Sequence, residues 1–122
     1  MKIALSHIRG KGDLKKERVV FKVLGKTDIG QYLLCESTTT STAAISSKLR
    51  KVYWFPDKLV NEGDFIAVYT GLGRNGEYTN KAGTVTHQMY WGLSESLWGE
   101  TNSVAVLMEI ADWSTKRLPG SD

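Results

Sequence analysis

The sequence G-L-G-R-N-G at residues 71–76 has the G-x-G-x-x-G spacing that binds phosphate groups in dinucleotide-binding proteins. It follows the apolar run FIAVYT, as a phosphate-binding loop follows a strand. In that motif the last glycine opens a helix, whose N-terminal amides bind the pyrophosphate. Here Gly76 precedes no helical pattern, and Glu77 and Tyr78 replace the Lys and Ser/Thr of a Walker-type loop. We therefore predict that these glycines permit positive φ angles at a sharp exit from a strand and bind no nucleotide.

Catalytic chemistry would need reactive side chains that the sequence does not group together. Cys35 lies in the strand-like segment YLLCES, where a cysteine usually behaves as a small hydrophobic residue. His7 and His87 have no Cys or His at zinc-ligand spacing. Four nearby carboxylates are interpreted as solvated surface groups: Glu95, Glu100, Glu109 and Asp112. The sequence therefore predicts a protein that is not an enzyme, with no cofactor, no metal site and no small-molecule substrate.

The length and composition are those of one globular domain, which we place over residues 1–122. The chain is 41% hydrophobic and 24% charged, a composition that excludes disordered and coiled-coil proteins. Its single cysteine allows no intramolecular disulfide. The first 13 residues, MKIALSHIRGKGD, lack the continuous apolar stretch of a signal peptide, and no run approaches the length of a membrane span. These features predict a cytoplasmic location.

The charge is distributed unevenly along the chain. Residues 1–60 contain 12 Lys and Arg against 5 acids, which gives +7, whereas residues 61–122 contain 4 against 8, which gives −4. A basic half can indicate an anionic partner such as nucleic acid. The alternative is that the segments interleave in the fold and the charge averages out over the surface.

Alternation of apolar and polar residues predicts an all-β fold. Segments with this pattern begin near residues 2, 18, 31, 51, 65, 86 and 103, and turn residues separate them. Segment 37–48 is predicted to be a loop or a weak edge strand, and segment 71–83 a long loop. About seven to nine short strands in a chain of this length indicate an antiparallel β-sandwich or barrel.

Four segments occur in an order that is similar to lamin-tail domains. They are ERVVFKVL (17–24), TDIGQYLL (27–34), VYWFPDKLVNEGDFIAVYTGLG (52–73) and HQMYWGLSESLWGETNSVAVL (87–107). Sixteen positions carry the resemblance: Glu17, Asp28, Ile29, Gly30, Tyr32, Tyr53, Phe55, Pro56, Gly63, Gly71, Gly73, Tyr90, Trp91, Trp98, Gly99 and Asn102.

The resemblance to lamin-tail domains implies an immunoglobulin-like β-sandwich, in a stand-alone bacterial or phage protein. It also implies a non-catalytic binding or scaffolding role with a protein or nucleic-acid partner, and allows a homo-oligomer. Two alternatives remain open. One is a self-associating structural component of a phage or an envelope, and the other is a small accessory nuclease or hydrolase subunit.

Six residues are candidates for partner binding: Lys48, Arg50, Lys51, Trp54, Arg74 and Tyr78. The first four lie in or just before the predicted strand KVYWF (51–55). In this strand Val52 and Trp54 face away from Tyr53 and Phe55. An exposed tryptophan beside basic residues suits a nucleic-acid strand or an acidic partner. The last two lie in the glycine-rich segment. Trp91 and Trp98 match the lamin-tail pattern and are interpreted as core residues.

Overall fold

The computed structural model describes residues 1–40 and 44–119. Within these residues the chain forms ten β-strands and one short 3-10 helix, Ile29–Gln31. The strands are β1 (Ile3–Arg9), β2 (Arg18–Val23), β3 (Thr27–Asp28), β4 (Tyr32–Thr38), β5 (Lys51–Trp54), β6 (Leu59–Val60), β7 (Phe65–Tyr69), β8 (Gly76–Thr79), β9 (Val85–Tyr90) and β10 (Ser103–Glu109). The predicted all-β class is confirmed. No helix in these two ranges is long and apolar enough to cross a membrane.

The strands form three sheets. The largest has the order β1-β2-β7-β9-β8, the second has the order β10-β4-β5, and β3 pairs with β6. Strands β7 and β9 are parallel, so the largest sheet is mixed rather than wholly antiparallel as predicted. The reason is that the chain leaves β7, crosses to the sheet edge, forms β8 there and returns antiparallel to it as β9.

The alternation seen in the sequence determines which side chains are buried. In β2, Val19, Phe21 and Val23 are completely buried, whereas Arg18, Val20 and Lys22 occupy the other face. Burying one face of each strand places the apolar side chains on the same side of the sheet.

One hydrophobic core contains side chains from all three sheets. Phe21 and Ile66 come from the five-stranded sheet, Leu34 from the three-stranded sheet and Val60 from the small sheet. Phe21 also meets Phe55 edge-to-face, with ring centroids 5.5 Å apart. Two tryptophans interpreted as core residues lie here as well, Trp98 buried and Trp91 half-buried against the cluster. The sheets therefore stabilise one another through a shared interior.

Strand pairing occurs in the segment predicted to be a long loop, 71–83, and in the segment predicted to be a loop or a weak edge strand, 37–48. Segment 71–83 was predicted to be a loop, yet it contains β8, which pairs with β9 over four residues. In segment 37–48, β4 continues to Thr38, and Thr39 forms an isolated bridge with Ile45. Residues 41–43 of that prediction lie outside the described residues.

A buried carboxylate, Glu17, joins the loops at one end of the five-stranded sheet. It accepts hydrogen bonds from the amide of Gly12 (3.0 Å), the hydroxyl of Thr70 (2.6 Å), and the amides of Leu97 (2.9 Å) and Trp98 (3.1 Å). Side-chain acceptors of this kind satisfy amides that no strand partner reaches. Glu17 therefore connects the segment before β2 with the segment before β10.

Candidate binding site on the five-stranded sheet

The register of the five-stranded sheet aligns its outward-facing side chains in rows. Arg9 of β1 lies opposite Arg18 of β2. Arg18 lies opposite Tyr69 of β7, and Tyr69 lies opposite Tyr90 of β9. Residues that are opposite in neighbouring strands share a face of the sheet and contact each other. Two arginines and two tyrosines therefore cross four strands in one line.

Two further rows complete this outer face. The middle row contains mostly small or polar residues: His7, Val20, Ala67, Gln88 and Gly76. The third row contains three large side chains and one small one: Lys22, Phe65, Tyr78 and Thr86. Because a row with Val20 and Ala67 lies between rows with larger side chains, the face is concave along its centre.

A bulge in β1 brings two basic residues onto this face. The pairing of β1 with β2 shifts between Leu5 and His7, so that Ser6 is an extra residue in β1. Without this extra residue, the alternation that buries Ile3 would direct His7 and Arg9 towards the core. The bulge therefore adds cationic and imidazole groups to the outer face.

The concave face forms a groove of about 540 Å³. Its lining residues are His7, Arg9, Arg18, Val20, Phe65, Ala67, Tyr69, Tyr78, Thr79, Asn80, Lys81, Ala82, Thr86 and Gln88. Three of them are cationic, and none of these described residues is Asp or Glu. The carboxylate of Glu77 on β8 is bonded to Lys58 at 2.8 Å, and Glu77 lies opposite the buried His87 rather than beside the groove. The groove is therefore an electropositive site with apolar and aromatic walls.

Hydrogen bonds fix the two arginines in place. The Nε of Arg9 donates to Nε2 of His7 at 2.9 Å, and the Oγ of Ser6 lies 2.8 Å from Nδ1 of the same imidazole. The Nη1 of Arg18 donates to the carbonyl oxygen of Lys16 at 2.8 Å, and its guanidinium lies 5.7 Å from the centre of the Tyr69 ring. Side chains that are already ordered lose less entropy when they bind a ligand.

A stacked tyrosine pair separates this groove from a second cavity. The rings of Tyr69 and Tyr90 are nearly parallel, at 18°, with centroids 4.9 Å apart. The second cavity, of about 600 Å³, is lined by Leu14, Lys15, Tyr69, Gly71, Leu72, Gly73, Tyr90, Leu93 and Ser94. Tyr69 lines both cavities, so they adjoin at this ring.

The glycines of the G-L-G-R-N-G segment have a different role from the predicted one. Gly71, Gly73 and Gly76 do not have left-handed φ angles, so the interpretation that they permit positive φ is wrong. A Cβ on Gly71 would lie 2.9 Å from the carbonyl oxygen of Leu14, and a Cβ on Gly73 would overlap the ring of Tyr90. Two of the three glycines are therefore required by close packing, and the segment leads to a strand rather than to a helix.

The predicted basic cluster does not lie on the five-stranded sheet. It lies at the β5 edge of the three-stranded sheet. Lys48, Arg50, Lys51 and Trp54 are all exposed there. Arg50, however, is ion-paired with the buried carboxylate of Glu36, and its Nε donates to that residue at 2.9 Å. The hydrogen bond to Glu36 raises the pKa of Arg50, so the guanidinium is charged but already neutralised by its partner.

Trp54 is held on both sides despite being 47% exposed. Its Nε1 donates to the carbonyl oxygen of Gly30 at 2.7 Å. Its ring also meets Trp113 edge-to-face, with centroids 5.0 Å apart. Among residues 1–40 and 44–119, neither Lys48 nor Lys51 forms an ion pair, so the β5 cluster offers these two cations beside an indole that already contacts the chain.

The two candidates from the glycine-rich segment are separated by the fold. Tyr78 lies on β8, is 51% exposed and lines the groove. Arg74 is exposed between β7 and β8 and is not among the groove's lining residues. Sequence reasoning therefore found one groove residue and missed Arg9, Arg18 and Lys81. The signal for Arg18 was the excess of basic charge in residues 1–60, read together with its outward phase in β2, whereas Arg9 reaches this face only through the bulge in β1.

Two of the reactive side chains considered in the sequence, Cys35 and His87, are buried in separate sheets, whereas His7 and the four carboxylates Glu95, Glu100, Glu109 and Asp112 are exposed. Cys35 lies on β4, and burial raises the pKa of its thiol. His87 lies on β9, where its Nε2 is 2.9 Å from Oδ2 of Asp64. Within residues 1–40 and 44–119, no group of three or more His, Cys, Asp or Glu side chains could hold a metal ion.

No family model matches this chain, and no curated protein or solved structure gives a significant match to it.

Proposed function

We propose that this protein is a non-catalytic binding domain that takes nucleic acid on the outer face of its five-stranded sheet. The observation that carries the proposal is the groove of about 540 Å³, in which Arg9, Arg18 and Lys81 provide cations and no lining residue is acidic. An anionic partner gains from such a site because binding releases its condensed counterions.

The aromatic side chains favour nucleic acid over an acidic protein. Tyr78, Phe65 and Tyr69 present ring surface beside the cations. Every nucleobase has a flat face that stacks on aromatic side chains, whereas aspartate and glutamate side chains have none. The combination of hydrogen-bonded arginines with one exposed ring, Tyr78, and two half-buried rings, Phe65 and Tyr69, thus fits a ligand with both phosphates and bases.

We also propose that the fold is an immunoglobulin-like sandwich of the lamin-tail type. Support comes from the positions of the residues that carry the resemblance. Glu17 precedes β2 and accepts four hydrogen bonds, Gly71 and Gly73 follow β7, and Trp98 lies in the core. Experimental structure determination, followed by comparison of its strand connections with those of a lamin-tail domain, tests this assignment.

Retention on single-stranded and double-stranded DNA columns at increasing salt tests the binding function. We expect the wild-type protein to be retained at low salt and released as salt rises. The double variant Arg9→Ala/Lys81→Ala removes two groove cations and should elute earlier, with a salt slope reduced by about 1.4 to 1.8. The matched control Lys48→Ala/Lys51→Ala removes the same charge from the β5 edge and should elute with the wild type.

Three outcomes would contradict the proposal. Loss of retention in the β5 variant alone would place the partner on the three-stranded sheet. Equal retention of the wild type and both double variants would mean that DNA is held by the overall charge of the protein and not by the groove. No retention on DNA, together with binding of polyglutamate that depends on Arg9, would assign the groove to an acidic protein.

A further inference from the structure

The groove and the second cavity form one path along the direction of β7 and β9. Both cavities are lined by Tyr69, so the path runs from Phe65 and Tyr78, past the stacked tyrosines, to Gly71 and Gly73. At about 3.3 Å per residue, the seven residues from 65 to 71 span roughly 20 Å. The path is therefore longer than one nucleotide.

The width of the sheet prevents the whole outer face from entering the major groove of a duplex. Five strands at about 4.8 Å spacing make a surface roughly 19 Å wide. The major groove of B-DNA is about 12 Å wide and admits a helix or a two-stranded ribbon. The face with Val20 and Ala67 at its floor is therefore too wide for the major groove, whereas the bases of a single strand can enter the concave face.

The aromatic side chains are distributed as stacking surfaces along this path. Tyr78 is 51% exposed on the edge strand β8, and Phe65 is half-buried in the same outward-facing row. Tyr90 is covered on one side by Tyr69 and approached by Gly73, so the middle of the path is rigid. Rigid rings beside a positive groove give single-strand binding with little dependence on base sequence.

Cationic side chains flank the aromatic rings of this path. Arg9 and Arg18 lie at the β1–β2 side of the groove, and Lys81 lies in the turn between β8 and β9. In the second cavity Lys15 is the cationic lining residue, among mainly apolar neighbours such as Leu72 and Leu93. A strand that follows this path therefore meets Lys81 near one end, Arg18 beside the Tyr69 ring in the middle, and Lys15 in the second cavity.

We propose that the groove binds single-stranded nucleic acid in preference to duplex, with a base stacked on Tyr78 and Phe65 and the strand continuing past Tyr69 into the second cavity. This inference rests on the proposed function, because it specifies the nucleic acid that the same groove takes. The stacking on Tyr78 is the part that can be tested separately from charge.

Fluorescence anisotropy with a labelled 12-nucleotide oligo-dT and a blunt duplex of the same length provides the test. We expect the wild-type protein to bind the single strand about tenfold or more tightly than the duplex at equal salt. Tyr78→Ala and Tyr78→Leu should weaken single-strand binding about five- to 100-fold, because each removes the stacking ring. Tyr78→Phe keeps the ring and should bind as the wild type does.

Two comparisons separate stacking from charge. The Tyr78 variants should keep the wild-type salt slope, whereas Arg9→Ala should reduce the slope by about 0.7 for the single strand. Trp113→Ala is the control for loss of an exposed aromatic residue outside both cavities. Its binding should be unchanged. Because Tyr78 is exposed on an edge strand, its variants are expected to fold, and near-ultraviolet circular dichroism verifies this.

The outcomes distinguish this inference from the proposed function. Duplex bound as tightly as the single strand, with the Arg9 dependence intact, overturns the single-strand inference and leaves the binding function standing. If Tyr78→Leu binds the single strand with the wild-type affinity, the inferred stacking on Tyr78 is overturned, and the binding function again stands. Absence of any Arg9-dependent binding to either probe overturns the proposed function itself.

Discussion

Asp64 and His87 form a buried hydrogen-bonded pair that connects the turn before β7 with β9. Oδ2 of Asp64 lies 2.9 Å from Nε2 of His87, and both side chains are about 95% buried. The same carboxylate accepts from the amides of Asn61 (3.0 Å) and Val85 (3.1 Å). Since an ionised carboxylate only accepts, Nε2 of His87 donates, and its Nδ1 has no partner among the described residues.

This pair predicts a loss of stability in acid. Burial alone would raise the pKa of Asp64, but the hydrogen bonds from His87, Asn61 and Val85 outweigh it and lower the pKa. A carboxyl whose pKa is lower in the folded state stabilises the fold above its unfolded pKa of about 3.9 and loses that contribution as the pH falls. Urea unfolding at pH 7 and pH 3 measures the difference.

The variant Asp64→Asn isolates this contribution from that of other carboxylates. At pH 7 we expect its free energy of unfolding to be lower than that of the wild type by about 1–3 kcal/mol, because amide hydrogens replace an acceptor. The gap should narrow below about pH 4, where the carboxyl of the unfolded wild-type chain takes up a proton before that of the folded protein does. A gap of constant size from pH 7 to pH 3 would contradict the assigned titration.

Removal of the Glu17 carboxylate is predicted to lower the stability of the fold through lost hydrogen bonds. Glu17→Ala leaves three backbone amides and the hydroxyl of Thr70 without their acceptor, in a buried position. We expect a loss of about 3 kcal/mol or more in urea unfolding. Thr70→Val removes a single donor and should cost less than Glu17→Ala. Equal stability of wild type and Glu17→Ala would mean that the loops at this end do not contribute to the fold.

Because Gly73 packs against the ring of Tyr90, we predict that replacing it with alanine lowers the stability of the fold. In Gly73→Ala the new Cβ overlaps the ring of Tyr90, which stacks on Tyr69, so one of the elements must shift. Overpacking of this kind costs about 1–3 kcal/mol. Gly76→Ala is the matched control, since a Cβ there has no atom within 4 Å. Its melting temperature should equal or slightly exceed that of the wild type, and a comparable loss in both variants would point to backbone flexibility instead.

Of the ten strands in the described residues, the sequence predicted seven and missed β3, β6 and β8. β2 and β9 show a clear period of two, because one face of each is buried in the core. All four residues of β8 are exposed, so the segment GEYT carries no burial pattern and its structure comes from pairing with β9. The parallel pairing of β7 with β9 likewise depends on where β8 docks, which no local pattern records.

The groove was only partly predictable for the same reason. Arg9, Arg18 and Tyr69 are far apart in the chain, and only the register places them in one row. The sequence did reveal the excess of basic residues in the first half and the aromatic Tyr78. It placed the basic cluster on β5 instead, because Lys48, Arg50 and Lys51 are neighbours in sequence, and the pairing of Arg50 with Glu36 depends on strand contacts.

That ion pair between Arg50 and Glu36 determines how the β5 cluster can be tested. Glu36 is buried, and its acceptor atoms are directed at Arg50, with the hydroxyl of Ser103 at 3.4 Å. Arg50→Ala would leave a buried carboxylate without its cation, which destabilises a protein more than the loss of an exposed pair does. We therefore expect a lower melting temperature for Arg50→Ala and a wild-type value for Lys51→Ala, whose charge is on the same strand edge.

Arg50→Lys and Glu36→Gln complete this comparison. Lysine provides a charge but not the two parallel donors of a guanidinium, so Arg50→Lys should recover only part of the lost stability. Adding Glu36→Gln to Arg50→Ala removes the uncompensated charge and should raise the melting temperature above that of Arg50→Ala alone. If Arg50→Ala has the melting temperature of the wild type but loses DNA retention, Arg50 acts in binding, and its ion pair with Glu36 does not stabilise the fold.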